Sequence, residues 1–139
     1  MRFMVIMYPG PAAEAGVLPD EKILTEMGKF NEELVNAGMM LSGEGLHPTS
    51  KGARIRFTGG TPTVTDGPFA EAKEVIGGYW MIKANSKDEV IEKFKRCPVT
   101  GAEMLEIRRV FEAEDFGPAL TPELREAEEH LRERAAAQS

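Results

Sequence analysis

The stretch VTDGPFAEAKEVIGGYWM, residues 64–81, decides more about the fold than any other part of the chain. The tripeptide DGP at 66–68 predicts an irregular turn, because glycine adopts conformations closed to other residues and proline fixes its φ angle. The two glycines at 77–78 then release the chain into the apolar run 79–82, which contains the only tryptophan of the sequence. We therefore expect an ordered loop that enters a strand.

Elements on either side of this loop follow from hydrophobic periodicity. Residues 2–8 are β-formers and apolar throughout, which predicts a central strand covered on both faces. Apolar residues at helical spacing predict a helix that Asp20 caps and Gly38 ends. A second helix begins at a capping box, residues 86–89, and Pro98 closes it.

The remaining strands are expected at 39–46, 53–58, 61–65, 79–84 and 104–111. The segments between the two helices predict a meander, and the order β-α-β-β-β-α-β places both helices against one antiparallel sheet. This is an α+β, ferredoxin-like fold. Its uncovered sheet face would expose a large apolar patch, so we expect two copies to pair through it.

The sequence resembles the YCII-related, or DGPF-domain, family. The resemblance lies in DGPFAEAKE and GGYW within the quoted stretch, the opening MRFMVIMY, the segment LSGEGL at 41–46, and EIRRV at 106–110. It implies a ferredoxin-like fold that pairs into a dimeric α+β barrel, with a cleft near Asp66. Enzymatic distant relatives of the family use a His and Asp pair, and genes of many members lie beside sigma factors.

Composition narrows the class of protein. The 139 residues suit one domain, 1–111, followed by a charged helical extension, 112–139. A net charge of −6 without a long basic run argues against nucleic acid as a partner. A single cysteine permits no intramolecular disulfide and fits the cytoplasm, and no segment has the length and apolarity of a membrane span.

Asp66 is the sharpest candidate for chemistry. A carboxylate beside Gly and Pro can point into a cleft, where partial burial raises its pKa toward general acid or base work. The alternative is structural, because Asp commonly begins a turn and caps backbone N–H groups there. His47 is the natural titratable partner near neutral pH, although a His before Pro is also an ordinary loop residue.

Four further residues are expected to bind a ligand. Glu44 lies between two glycines that leave room for a ligand or another backbone, its alternative role being a pair with an arginine. Arg109 shares a strand face with two apolar residues, so it needs a carboxylate or an anionic ligand. Tyr79 is expected to line the pocket, and Phe69 to line it or plug its own loop.

Two classes of function remain open. One is a cofactor-free acid–base enzyme, in which Asp66 and His47 act on a small molecule in a homodimeric barrel. The other is a non-catalytic module that senses a metabolite or docks a transcription-linked partner. Metal-ligand spacing and phosphate-binding loops are absent from the sequence, so no metal or cofactor is expected. Three charged residues of the loop, Glu71, Lys73 and Glu74, are expected to form a solvated rim.

Overall fold

A computed structural model of the chain describes residues 1–70 and 74–139, so Glu71 and Lys73 lie outside the described residues. The elements are β1 (Arg2–Tyr8), α1 (Pro11–Glu14), α2 (Glu21–Asn36), β2 (Met40–Gly45), β3 (Ala53–Arg56), β4 (Thr63–Asp66), β5 (Gly78–Lys83), α3 (Lys87–Phe94), β6 (Met104–Arg109) and α4 (Pro122–Ala136). Short 3-10 segments cover Thr49–Lys51 and Ala113–Ala119.

Four strands form one antiparallel sheet in the order β2-β5-β1-β6. With α2 between β1 and β2 and α3 between β5 and β6, this is the ferredoxin-like arrangement. The predicted α+β class is confirmed. As expected, β1 is an interior strand, with partners on both sides.

The predicted meander is wrong in one respect. Strands β3 and β4 pair only with each other among the described residues, so they form a separate two-stranded ribbon. Their residues are mostly exposed, which explains why the ribbon adds no layer to the main core. A single helical turn, α1, lies between β1 and α2.

Both long helices of the sheet domain begin at the predicted caps. Asp20 Oδ1 accepts a hydrogen bond from the Ile23 amide at 2.9 Å, and Ser86 Oγ accepts one from the Glu89 amide at 3.2 Å. The return hydrogen bond of the second cap reaches Asn85 rather than Ser86. Within the described residues, no helix combines the length and apolarity needed to cross a bilayer.

Side chains from both helices meet one face of the sheet. The buried cluster consists of Phe3, Val5, Phe30, Leu34, Met39, Trp80, Ile82, Ala84, Val90, Phe94 and Cys97. Its centre is an aromatic triad of Phe30, Trp80 and Phe94, whose ring centroids lie 5.1–6.4 Å apart in edge-to-face pairs. Such pairs add about 0.5–1.5 kcal/mol beyond the burial of their area. The triad therefore ties α2, β5 and α3 together.

The chain divides into two compact units, Met1–Arg109 and Val110–Ser139. In the second unit Phe111 stacks on Phe116 with 5.0 Å between ring centroids. Arg125 Nη2 of α4 donates to Glu114 Oε1 at 2.9 Å. Thr121 caps α4, as the Thr-Pro start in the sequence indicates, through a hydrogen bond from the Leu124 amide.

We predict that Cys97 is inert in the folded protein. Burial, followed by the nearby charge of Glu103, raises the pKa of its thiol to about 11. At pH 8 the thiolate population is then roughly two orders of magnitude below that of an ordinary cysteine. Native protein should react far more slowly with Ellman's reagent than protein unfolded in guanidinium, which should release one thiol per chain. Equal rates in the two states would contradict this prediction.

Candidate functional site

A cavity of about 230 Å³ lies on the helix-facing side of the sheet. We call it the glycine-floored cavity. Its lining residues are Met7, Met27, Asn31, Met40, Gly43, Glu44, Gly45, Gly77, Gly78, Tyr79 and Trp80. These residues come from α2 and from three neighbouring strands, β2, β5 and β1, and from the residue that precedes β5.

The floor of the cavity is backbone. Gly45 lies opposite Gly78 in the pairing of β2 with β5, and Gly78 in turn lies opposite Met7 of β1. Gly43, two residues before Gly45, lies opposite Trp80 and so shares the same face. Three glycines on adjacent strands leave space that side chains would otherwise fill.

The three glycines of the floor are not equivalent. A Cβ on Gly43 would come within 2.9 Å of Met40 Cε and 3.2 Å of Trp80 Cδ1. A Cβ on Gly78 would come within 2.9 Å of the Glu44 carbonyl oxygen. A Cβ on Gly45 would meet no atom within 4 Å. Backbone therefore holds Gly78 as glycine, movable side chains crowd Gly43, and Gly45 faces open space.

A single hydrogen bond fixes the polar group of the cavity. Trp80 Nε1 donates to Asn31 Oδ1 at 2.9 Å. Because an indole N–H only donates, the oxygen of the Asn31 amide must face it, which turns Nδ2 the other way. Within the described residues no hydrogen bond engages Nδ2, and no side-chain polar atom there is both buried and unpaired. Among the described side chains that line the cavity, Asn31 thus carries an accessible amide N–H group without a hydrogen-bond partner.

We call residues 66–70, which begin with the DGPF motif, the signature loop. Thr49, in the turn between β2 and β3, holds this loop. Thr49 Oγ1 accepts a hydrogen bond from the Phe69 amide at 3.0 Å and donates one to Glu14 Oε2 at 2.6 Å. The Thr49 amide donates to Glu14 Oε1 at 2.8 Å. These side-chain and backbone hydrogen bonds from Thr49 lower the pKa of Glu14, so its carboxylate stays charged to lower pH.

Backbone contact explains the glycine of the DGPF motif. A Cβ on Gly67 would overlap the carbonyl oxygen of Thr49, so no other residue fits there without movement of the turn. The Gly67 amide donates to the Gly52 carbonyl at 2.9 Å, and the Gly67–Pro68 peptide is cis. Arg54 of β3 places its guanidinium carbon 3.7 Å from the centroid of the Phe69 ring, a cation–π contact. The motif therefore docks the loop onto the turn and the ribbon.

Two of the expected site residues lie at the cavity. Glu44 and Tyr79 are register partners on β2 and β5, and both line the cavity. Strand alternation, however, puts their side chains on the sheet face opposite Trp80, next to Ile6 in the register. Their contribution to the floor is therefore through backbone. Tyr79 and Trp80 thus point to opposite faces of the sheet.

The other four expected residues are outside the cavity lining. Asp66 is exposed at the end of β4, opposite Ala53, and His47 is exposed after β2. Phe69 is half-buried against Arg54. Arg109 is exposed on β6, the edge strand farthest from β2. In the described part of the chain, no group of three His, Cys, Asp or Glu residues is arranged to hold a metal ion.

Sequence reasoning missed Asn31, Thr49 and Glu14. Asn31 carried a usable signal, because it interrupts the apolar stripe of α2 one turn after Met27. Thr49 and Glu14 carried none, since their partners are 20 and 35 residues away along the chain. The glycines around Glu44 were expected to leave space, and the structure has it. The space lies on the sheet face away from the Glu44 side chain.

A family model for the YCII-related domain matches residues 1–114, which is most of the chain. The chain belongs to the YCII-related family. The predicted resemblance is thereby confirmed, and the match includes all of the sheet, the ribbon and the signature loop. This YCII-related protein is also 34% identical over 73 residues to an uncharacterised protein of Rhizobium meliloti (strain 1021). That alignment covers 52% of the present chain and 59% of the relative, so the chain spans about three fifths of that relative's length.

One similar solved structure is 5-chloro-2-hydroxyhydroquinone dehydrochlorinase (TftG) from Burkholderia phenoliruptrix AC1100, in complex with 2,5-dihydroxybenzoquinone. It is 16% identical to this YCII-related protein, with a TM-score of 0.41, and the match covers 82% of this chain and 98% of that one. A similarity this distant is no guide to the ligand of the present chain.

We predict that Thr49→Val loosens the signature loop. Valine keeps the shape of threonine but cannot accept the Phe69 N–H, a hydrogen bond worth about 1 kcal/mol net. Hydrogen exchange of the Phe69 amide should accelerate several-fold, while amides of β1 exchange as in the wild type. Thr49→Ser is the matched control, because serine keeps the hydroxyl. Unchanged exchange at Phe69 in Thr49→Val would show that the loop is held by other contacts.

Proposed function

We propose that this protein binds a small organic molecule in the glycine-floored cavity. The observation that carries the proposal is the size and lining of the space, about 230 Å³ between α2 and the sheet. An apolar cavity of about 150 Å³ is known to hold benzene. The cavity therefore has room for a molecule built on a single ring.

The chemistry of the walls supports a binding role. Met7, Met27 and Met40 supply flexible thioether side chains, which adapt to the outline of a ligand at low cost. Gly45 has room for a side chain and carries none. Ligand binding gives that open space a purpose.

A larger side chain at Gly45, on the floor of the cavity, tests the proposal. A fragment library of one-ring compounds is titrated into labelled protein, and the single indole N–H resonance, that of Trp80, reports binding next to it. We expect compounds that shift this resonance in the wild type to bind at least tenfold more weakly to Gly45→Val. The added side chain occupies the ligand's volume, and the loss of binding should come without loss of the fold.

Gly28→Ala is the matched control for added side-chain volume. A Cβ at Gly28 of α2 meets no atom within 4 Å, and Gly28 is outside the cavity lining. This variant should keep wild-type binding and gain roughly 0.5–1 kcal/mol of stability, because alanine favours helix interiors. Equal affinity of Gly45→Val and the wild type for the same compounds would rule out the cavity as the site.

The acid–base role of Asp66 is a separate hypothesis and stays a prediction. Its exposure and its place outside the cavity lining favour a binding function over catalysis by this carboxylate. The same binding function serves either a metabolite sensor or an enzyme, and the cytoplasmic location expected from the sequence also stays a prediction. Asp66→Asn belongs in the fragment titration, where a role at the ligand would appear as altered affinity with the Trp80 resonance still in place.

We further propose that two copies pair through the sheet face opposite the helices, as the dimeric barrel expected from the sequence requires. The support is the composition of that face. Ile6 lies opposite Tyr79, and Met4 lies opposite Met81, so apolar side chains of β1 and β5 form its middle. Arg108 and Glu106 of the flanking strand β6 pair at 3.6 Å and give this patch a polar border.

Met81→Glu tests the pairing. A carboxylate at the centre of a dimer interface would be desolvated without a partner, so the variant should sediment as a monomer at concentrations where the wild type is a dimer. Leu18→Glu, at a residue that is 85% exposed outside the sheet, is the control and should leave the dimer intact. A wild-type protein that sediments as a monomer at tens of micromolar would refute the pairing.

A further inference from the structure

Asn31 lines the glycine-floored cavity and limits which polar groups a ligand can carry there. This inference rests on the proposed binding function. Asn31 Oδ1 is occupied by Trp80 Nε1 at 2.9 Å, which leaves the Nδ2 group as donor. The other described residues that line the helix-facing surface are methionines, glycines and Trp80, whose N–H is already engaged by Asn31. A ligand that satisfies this lining needs an acceptor at one point and apolar surface elsewhere.

The described residues place no charged side chain on the same surface. Glu44 is the only charged residue among the described lining residues, and strand alternation places its carboxylate on the other face, beside Tyr79. An anionic ligand would therefore lose hydration without gaining a cation, and a cationic ligand would gain no carboxylate. The cavity favours an uncharged molecule.

The floor selects for shape. Gly45 and Gly78 face each other across β2 and β5 without side chains, which makes a flat patch of backbone. Gly43 continues this patch, with the side chains of Met40 and Trp80 beside it. A planar ring can lie on such a surface while the methionines close over it.

We propose that the cavity binds an uncharged, planar molecule of one-ring size through a carbonyl oxygen that accepts a hydrogen bond from Asn31 Nδ2. Asn31 is then the residue that determines specificity, and Trp80 is the positioning residue that holds the amide in its donating orientation.

Three probes of matched size separate the alternatives: acetophenone, ethylbenzene and benzoate. Ethylbenzene is the most hydrophobic, so an apolar cavity without a hydrogen bond would prefer it to acetophenone. The quantity measured is the ratio of the ethylbenzene Kd to the acetophenone Kd, obtained from the Trp80 indole resonance. A hydrogen bond from Asn31 should raise this ratio about tenfold above its value when the donor is removed.

Two variants remove the donor in different ways. Asn31→Asp keeps an oxygen for Trp80 Nε1 but has no N–H to offer, and its retained indole shift shows that the pair is intact. Asn31→Leu removes both polar atoms and adds no charge. We expect the ratio to fall about tenfold in both variants, with benzoate the weakest ligand of the wild type.

A ratio that is unchanged in both variants, or a preference of the wild type for benzoate, would overturn the assignment while leaving binding in the cavity established. Binding of the probes that is equally strong in Gly45→Val would instead show that they bind elsewhere, and both proposals would fail. Failure of all three probes to shift the Trp80 resonance at millimolar concentration would refute the assignment to Asn31, while the fragment library decides whether the cavity binds a ligand.

Discussion

The structure depends on the packing of Trp80. Its ring contacts both Phe30 of α2 and Phe94 of α3, so it joins two helices to β5. Its Nε1 then anchors Asn31 of α2 on the side of the cavity. A large aromatic residue with one polar atom is well suited to this double position, because the ring stabilises the core while the N–H demands a fixed partner. The geometry of the site is thus inherited from the core rather than from a loop.

The family signature has a structural explanation that is independent of any chemistry. Gly67 lies against the Thr49 backbone, Phe69 is hydrogen-bonded to the Thr49 hydroxyl, and the ring of Phe69 lies under Arg54. The close approach at Gly67 and the ring contact of Phe69 depend on residue type, whereas the Phe69 N–H would be offered by any residue except proline. A motif can therefore be strongly constrained because it docks a loop, and its Asp need not be catalytic for the pattern to persist.

Much of the fold could be predicted from the sequence, because its signals are local. The caps at Asp20 and Ser86 and the apolar periods of β1 and α2 are read within a few residues. Whether β3 and β4 join the main sheet depends on pairing with distant strands, which no local pattern reports. The site was harder for the same reason, since Trp80 and Asn31 are separated by 49 residues. The glycines around Glu44 predicted open space, but the alternation of side chains along β2 determines on which face of the sheet that space lies.

Gly45 can be replaced by a residue with a small side chain without a packing clash. At most interior positions a larger residue forces its neighbours to move, and the fold resists the substitution. Gly45 is exposed, and a methyl group there would meet no atom within 4 Å, so packing does not exclude a small side chain. Under the proposed binding function, substitutions at this position would resize the space for the ligand one side chain at a time while the scaffold stays the same.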